Sequence, residues 1–242
     1  MPDFRLAVAI GLAISAVGGL APAAEPARAG LYFEQQVTTA VGAQPAGPLI
    51  SARVWWQGPR MRLEQRSAGE RGGTTVLIVR LDQERAFRLD PARRVAQEID
   101  LAAERARSQL ELAVVGDRLA ASARVARIRR TRQIAGYVCQ GYRLTTDAGA
   151  IDVWVSRAVP ADMGAFADFL KWLGAEDALG PFLDALRRLP GFPLEMRSRL
   201  GVSGRLVETR ATVTRLRVAA APESLFELPP EYRVEPTPAS ER

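Results

Sequence analysis

The side chains that most often perform catalysis are scarce in this 242-residue chain. It has no histidine, one cysteine (Cys139) and one lysine (Lys171) among its 33 cationic residues. A histidine-activated nucleophile, a histidine-containing zinc site and a phosphate loop ending in lysine are therefore excluded. A Ser-x-x-Lys dyad is excluded too, because Asp168 stands three residues before Lys171. We predict that the protein is not an enzyme and needs neither metal nor cofactor, while a hydrolase with paired carboxylates stays open.

The single cysteine predicts a structural role. Cys139 can form no intramolecular disulfide, because the chain has no second cysteine. A reactive thiol needs a neighbouring cation or base that lowers its pKa, and no histidine can serve. We predict a buried, unpaired thiol and a fold stabilised by an ordinary apolar core.

The strongest charge cluster places five arginines within the nine residues from Arg124 to Arg132. Guanidinium groups bind phosphate oxygens in pairs, so Arg127, Arg129 and Arg130 are candidates for contact with anionic lipid headgroups. A solvated strand face is the alternative, and strict alternation would place Arg127 and Arg129 opposite Arg130. Nucleic acid is not predicted as a partner, because the N-terminus indicates export.

The first 24 residues have the order of an export signal. Arg5 precedes an apolar run from Leu6 to Leu20, and small residues then offer a cleavage site. We predict cleavage near Ala23 to Ala29 and a mature periplasmic protein. No stable membrane span is predicted after processing, because no later run reaches about 18 apolar residues. An uncleaved N-terminal anchor is the alternative.

From Leu31 onward, apolar residues alternate with polar ones in short segments separated by turn-forming residues. This pattern is typical of an antiparallel meander. After Gly58-Pro59 the alternation resumes out of step at Met61, which predicts a bulge or bend. The predicted strands are Leu31–Ala40, Ile50–Gln57, Thr74–Leu81, Arg85–Leu89, Arg94–Ile99, Val125–Ile134, Tyr137–Thr146, Ile151–Ser156, Leu194–Leu200 and Leu206–Val218.

Three other segments have helical patterns. Residues 100–122 are rich in Ala, Glu, Arg and Leu, with Asp100 placed as an N-cap. Apolar residues spaced three and four apart follow in Met163–Leu173 and again in Leu179–Leu186. These last two segments predict amphipathic helices that bury one face.

Several motifs occur in an order that resembles a known family. They are Leu31–Glu34, Val54–Glu64, Leu89–Pro91, Ile134–Tyr142 and Ser224–Tyr232. Behind a signal peptide, this order resembles the periplasmic lipoprotein-carrier superfamily, the LolA/LolB-like half-barrels, and is most similar to an uncharacterised branch of it.

The resemblance implies an α+β fold, in which a curved antiparallel β half-barrel has helices as a lid over its concave face. It implies one domain at residues 25–236, a tail at 237–242, and an apolar cavity that in carriers accommodates acyl chains. Gly58 departs from the pattern, because carriers often have an arginine before that proline, and Arg53 or Arg60 could substitute. The candidates for lining the cavity are Phe33, Trp56, Met61, Phe166, Phe169, Leu170 and Leu183.

These features together predict a function in binding. We expect an exported periplasmic protein that binds an apolar ligand, a lipid or a lipidated group, in the half-barrel cavity. The alternative on the same fold is a non-enzymatic envelope sensor or protein-interaction domain with an envelope protein as its partner.

The predicted signal peptide specifies where the mature chain begins. N-terminal sequencing of the exported form is expected to return Ala24, Glu25 or Gly30 first, because a small residue precedes each position. A sequence that begins at Met1 or Pro2 would contradict cleavage and support the membrane anchor.

Overall fold

The computed structural model describes residues 30–44, 47, 49–68, 73–101, 124–161, 184–202 and 204–235. The predicted signal peptide and the tail at 237–242 lie outside these ranges. Within the described ranges, no helix is both long and apolar enough to cross a bilayer.

The described segments are mostly β-strands, because apolar and polar residues alternate along them with the period of a strand. Short 3-10 turns lie at Leu81–Gln83 and Glu223–Phe226. The strands are β1 Leu31–Val41, β2 Ile50–Gln57, β3 Arg60–Ser67, β4 Thr74–Arg80, β5 Arg85–Asp90, β6 Val95–Ile99, β7 Arg124–Ile134, β8 Tyr137–Thr146, β9 Gly149–Ser156, β10 Phe192–Val202, β11 Arg205–Val218 and β12 Arg233–Glu235.

Two-residue turns join some of these strands into tight hairpins. Gly58, with a φ of 57°, begins the turn between β2 and β3. Ala135 and Gly136, with φ of 49° and 86°, form the turn between β7 and β8. Positive φ values of this kind match the twist of the flanking strands. The bulge or bend predicted at Gly58-Pro59 is therefore a hairpin turn, and the alternation changes phase because the chain reverses.

The strands form one sheet in the order β12-β6-β5-β4-β3-β2-β1-β11-β10-β9-β8-β7. Two meanders, β1–β6 and β7–β11, are joined where β1 pairs antiparallel with β11. All neighbouring strands pair antiparallel, except that β12 is parallel to β6. The sheet is open, with β12 at one edge and β7 at the other.

The strand register gives the middle of the sheet two different faces. On β1, Phe33 pairs with Val54 of β2 and Leu216 of β11, and all three are buried on what we call the inner face. The opposite side is the outer face, where Glu34 lies between Arg53 and Arg215. Alternate residues of each strand therefore supply an apolar and a charged surface.

The C-terminal segment crosses the outer face of β3–β6. There Val76, Ile78, Phe87, Leu89 and Ala96 form a second apolar cluster, against which Leu228 and Tyr232 pack. Arg62 of β3 holds this segment against the sheet, because its Nη1 donates a hydrogen bond to the Leu225 carbonyl oxygen at 3.4 Å. It ends as β12, beside β6.

The prediction of an α+β fold with a helical lid is wrong. The described residues form a nearly all-β structure of 12 strands without such a lid. Almost every described segment shows the apolar–polar alternation of a strand, and most successive strands are joined as hairpins. The sheet therefore makes up most of the described structure. Most of the residues in the predicted helical segments, 102–122 and 163–183, lie outside the described residues. After the second of these gaps, residues 184–187 are helical.

Removing the aromatic anchor of the C-terminal segment tests its contribution to stability. Phe226 is 1% exposed, so Phe226→Ala is expected to lower the free energy of unfolding by about 3 kcal/mol through lost burial and a residual cavity. Urea unfolding measures the change. Leu206→Ala is the control, since Leu206 is 49% exposed and its change should stay below about 0.5 kcal/mol. Equal losses in both variants would contradict an anchoring role.

Candidate functional site

An apolar strip crosses the inner face from β2 to β6. Its central members, Met61, Val79 and Ala86, are buried, whereas the others are only partly buried. Cross-strand pairing places them side by side, so they form a continuous surface rather than isolated contacts. The apolar strip consists of Trp56, Met61, Leu63, Leu77, Val79, Ala86 and Ile99.

Three of the seven predicted lining residues come together here. Phe33, Trp56 and Met61 belong to or pack against one apolar cluster. Phe33 is fully buried and meets Phe192 of β10 edge-on, with 5.8 Å between ring centroids. Trp56 keeps its indole nitrogen satisfied by donating to the Gly58 carbonyl oxygen at 2.8 Å.

The other four predicted lining residues lie outside the described residues. They are Phe166, Phe169, Leu170 and Leu183. The chain nevertheless leaves the sheet at the same cluster, because Leu101 and Ala161, the last residues described before 102–123 and 162–183, both pack against it.

Gln35 is a polar residue that the sequence analysis missed. It is buried between Phe33 and Val37 on the inner face, and neither atom of its side-chain amide has a hydrogen-bond partner in the described part of the chain. Its neighbours Leu194, Met196 and others line a small, partly open pocket of about 10 Å³, which is close to the space that one water needs. The alternation in β1 already placed Gln35 on the apolar face, which was the available signal.

The predicted headgroup arginines lie on the edge strand β7. Arg127, Arg129 and Arg130 are exposed, and the pairing of β7 with β8 is interrupted between Arg127 and Thr131. Gln140 of β8 occupies this irregularity, since its amide nitrogen donates to the Ile128 carbonyl and its oxygen accepts from Arg127 Nη2 at 2.7 Å. The strict alternation assumed for this segment is therefore broken.

The arginines of β7 and the apolar strip are far apart along the sheet. Six strand intervals separate β2 from β7, which corresponds to about 29 Å along the sheet at the usual strand spacing. Along the sheet, Arg127, Arg129 and Arg130 are therefore not neighbours of Trp56 and Met61. The predicted headgroup and tail residues thus lie on different strands, although Ile128 of β7 packs against the same apolar cluster as Trp56.

Glu195 is a buried carboxylate surrounded by arginines. It is 4% exposed. Arg132 contacts it at 2.9 Å, Arg197 at 2.8 Å and Arg210 at 3.0 Å. Arg132 also lies over the ring of Trp154, 4.1 Å from its centroid. A buried carboxylate requires such partners, and here three guanidinium groups share one negative charge.

Gly141 explains how Trp154 fits under Arg132. A Cβ atom at this position would lie 2.9 Å from the Trp154 ring, so the indole packs closely against the glycine backbone. Glycine allows this close approach because it has no side chain. The Glu195 contacts are therefore supported from below by a packed aromatic ring.

Arg60 was a candidate to replace the arginine that carriers often have at the position of Gly58, but its guanidinium is engaged in other ion pairs. Its guanidinium contacts Asp82 at 3.4 Å and Glu223 at 2.9 Å. Arg80 holds the same Asp82 carboxylate and lowers its pKa through a hydrogen bond. Arg60 therefore attaches the C-terminal segment to the β4–β5 turn. Arg53, the other candidate, is exposed on the outer face.

Cys139 is buried and unpaired, as predicted. Its thiol donates to the Tyr137 carbonyl oxygen at 3.4 Å. Burial raises the pKa of Cys139 from 9.0 to about 11, and the nearby Glu195 charge acts in the same direction. The thiolate is therefore scarce at neutral pH, which argues against a nucleophilic role.

Comparisons with known proteins place the chain in a family without assigning a task. Residues 52–232 match the domain of unknown function DUF4412, and the chain belongs to that family. No curated protein matches the chain. The match begins in β2 and ends just before β12, so it includes the apolar strip and the Glu195 contacts.

Two solved structures with limited likeness are both of PNGF-II. The structure in the C2 space group has 14% identity and a TM-score of 0.37, covering 87% of this chain and 31% of that chain. The structure in the P21 space group has 12% identity and a TM-score of 0.33, with 86% and 32% covered. This chain spans about a third of the length of those proteins. Likeness at this level assigns neither a fold nor an activity.

The buried thiol predicts a specific loss of stability at alkaline pH. The folded-state pKa of Cys139 lies above the unfolded value, so its contribution is complete below pH 9 and is lost as pH rises toward 11. Urea unfolding of wild type and Cys139→Ala should give a stability difference that falls by about 2–3 kcal/mol between pH 8 and pH 11. A difference that does not change with pH would contradict this assignment.

Proposed function

We propose that this protein binds an apolar ligand, the acyl chain of a lipid or of a lipidated group, on the apolar strip of its inner face. The observation that supports this proposal is the incomplete burial of Trp56, Leu63, Leu77 and Ile99. They lie beside the buried residues Met61, Val79 and Ala86. Apolar surface that remains in contact with solvent gains free energy when a ligand covers it.

The magnitude of the available energy suits an acyl chain. Each buried methylene contributes about 0.8 kcal/mol, so a chain of 16 carbons offers about 12 kcal/mol before the costs of ordering ligand and protein. Binding of this kind depends on covered area and needs few polar contacts. The row from Trp56 to Ile99 spans β2–β6, or about 19 Å at the usual strand spacing, which is close to the length of such a chain.

The expected compartment agrees with this ligand. The signal sequence at residues 1–24 predicts export to the periplasm, where lipids and lipidated proteins are handled at the envelope. The resemblance to the lipoprotein-carrier superfamily supports the same proposal. A protein-interaction domain on the same surface is the alternative outcome of the test below.

Substitution within the strip tests the proposal directly. Delipidated protein is titrated with a fluorescent 16-carbon fatty acid, and Leu63→Gln and Leu77→Gln are each expected to weaken binding by about tenfold. Both side chains are partly exposed, so a neutral polar group should leave the fold intact, as a circular-dichroism melt can show.

The matched control is Val138→Gln on β8, because Val138 is 68% exposed and lies away from the strip. Its affinity should equal that of wild type. The proposal fails if folded, delipidated wild type takes up no fatty acid, or if the control loses as much affinity as the strip variants. Co-purification of one stoichiometric protein without lipid would favour the interaction domain.

A further inference from the structure

The outer face of the sheet concentrates the positive charge of the protein. The strand register assigns nine arginines and four carboxylates to the outer positions of β1, β2 and β7–β11. This surface, which we call the arginine face, thus has an excess of five positive charges, compared with +6 for the whole chain. Charge of one sign on a single broad face attracts a surface of opposite charge.

The arginines of this face are accessible to a partner. The side chains of Arg143, Arg199, Arg210 and Arg215 are 52–75% exposed, although each also contacts a carboxylate. The contacts of the C-terminal segment described above lie on the outer side of β3–β6. Between the arginines of the other strands, Trp154 and Glu195 are buried, so the accessible part of the face is its guanidinium groups.

The arrangement within the face leaves positive charge uncompensated. Arg210 and Arg197 are direct cross-strand partners, an arrangement in which like charges repel. Both also contact Glu195, which Arg132 contacts as well. One carboxylate cannot neutralise three guanidinium groups, so an approaching anion would be attracted to this point.

Aromatic side chains accompany the arginines at the other end of the face. The rings of Tyr32 and Trp55 lie 5.0 Å apart on neighbouring strands, and the Arg217 guanidinium lies 5.1 Å from the Tyr32 centroid. Both aromatic residues are partly exposed. Tyrosine and tryptophan beside arginine are typical of protein surfaces that meet the headgroup region of a bilayer.

We propose that the arginine face binds the surface of a membrane rich in anionic phospholipid. Seven strands present this charge over about 29 Å of sheet, which is a broad area suited to an extended charged surface. Guanidinium groups bind lipid phosphates in pairs, and the Tyr32–Trp55 pair adds contacts at headgroup depth. The apolar strip lies on the opposite face, so membrane binding and acyl binding use different surfaces.

Vesicle co-sedimentation tests this proposal. Wild type is expected to bind vesicles of phosphatidylcholine with about 30% phosphatidylglycerol, to bind pure phosphatidylcholine at least tenfold more weakly, and to be released at about 0.5 M salt. The variant Arg199→Gln, Arg210→Gln, Arg215→Gln should lose about tenfold or more in vesicle affinity while still binding the fluorescent fatty acid.

A charge-matched control distinguishes the face from the net charge. Arg85→Gln, Arg93→Gln, Arg94→Gln removes the same charge from the β5–β6 hairpin and should bind vesicles within about twofold of wild type. Equal loss in both variants, tighter binding of wild type to duplex DNA than to anionic vesicles, or no dependence on phosphatidylglycerol would each overturn the proposal. The wild-type lipid and salt dependences decide the matter even if the arginine variant does not fold.

Discussion

The pairing of β1 with β11 unites the two halves of this protein. It joins residues 31–41 to residues 207–218 through a ladder that is interrupted only between Glu34 and Gln35. Without this ladder, β1–β6 and β7–β11 would be two separate meanders, each with an additional unpaired edge. The joined sheet instead places Phe33 within reach of both β2 and β10, so the main apolar cluster includes residues from both meanders.

The division of the sheet into two faces follows from this joint. Because β1 is central, the alternation of its residues determines which side chains of β2 and β11 share a face. The residues paired with Phe33 and Val37 on both neighbouring strands are apolar and lie on the inner face. Arg53 and Arg215, which pair with Glu34, lie on the outer face. A shift of one residue in this ladder would place arginines against the apolar cluster, so the register is strongly specified.

Much of the sheet was predictable from sequence, because period-two alternation and turn residues are local signals. Ten of the twelve strands were predicted to within a few residues, whereas β3 was predicted as a continuation of β2 after a bend and β12 was missed. Phe33, Trp56 and Met61 were placed together. The irregularity in β7 was not predictable, since it depends on Gln140, which fills it from the neighbouring strand. The shared carboxylate of Glu195 was also missed, because its three arginines come from three different strands. The α+β prediction was wrong because the described residues form one sheet of hairpins without a helical lid, while most of the segments with helical periodicity lies outside the described residues.

The long separation in sequence between β1 and β11 has a consequence for the order of events during synthesis. β1, the first strand of the described part of the chain, cannot gain its second neighbour until about 170 further residues have been made, and contacts of this range form slowly. The pairing that unites the two meanders therefore forms late. The two meanders can each form earlier, but they become one sheet only when synthesis has nearly reached the end of β11.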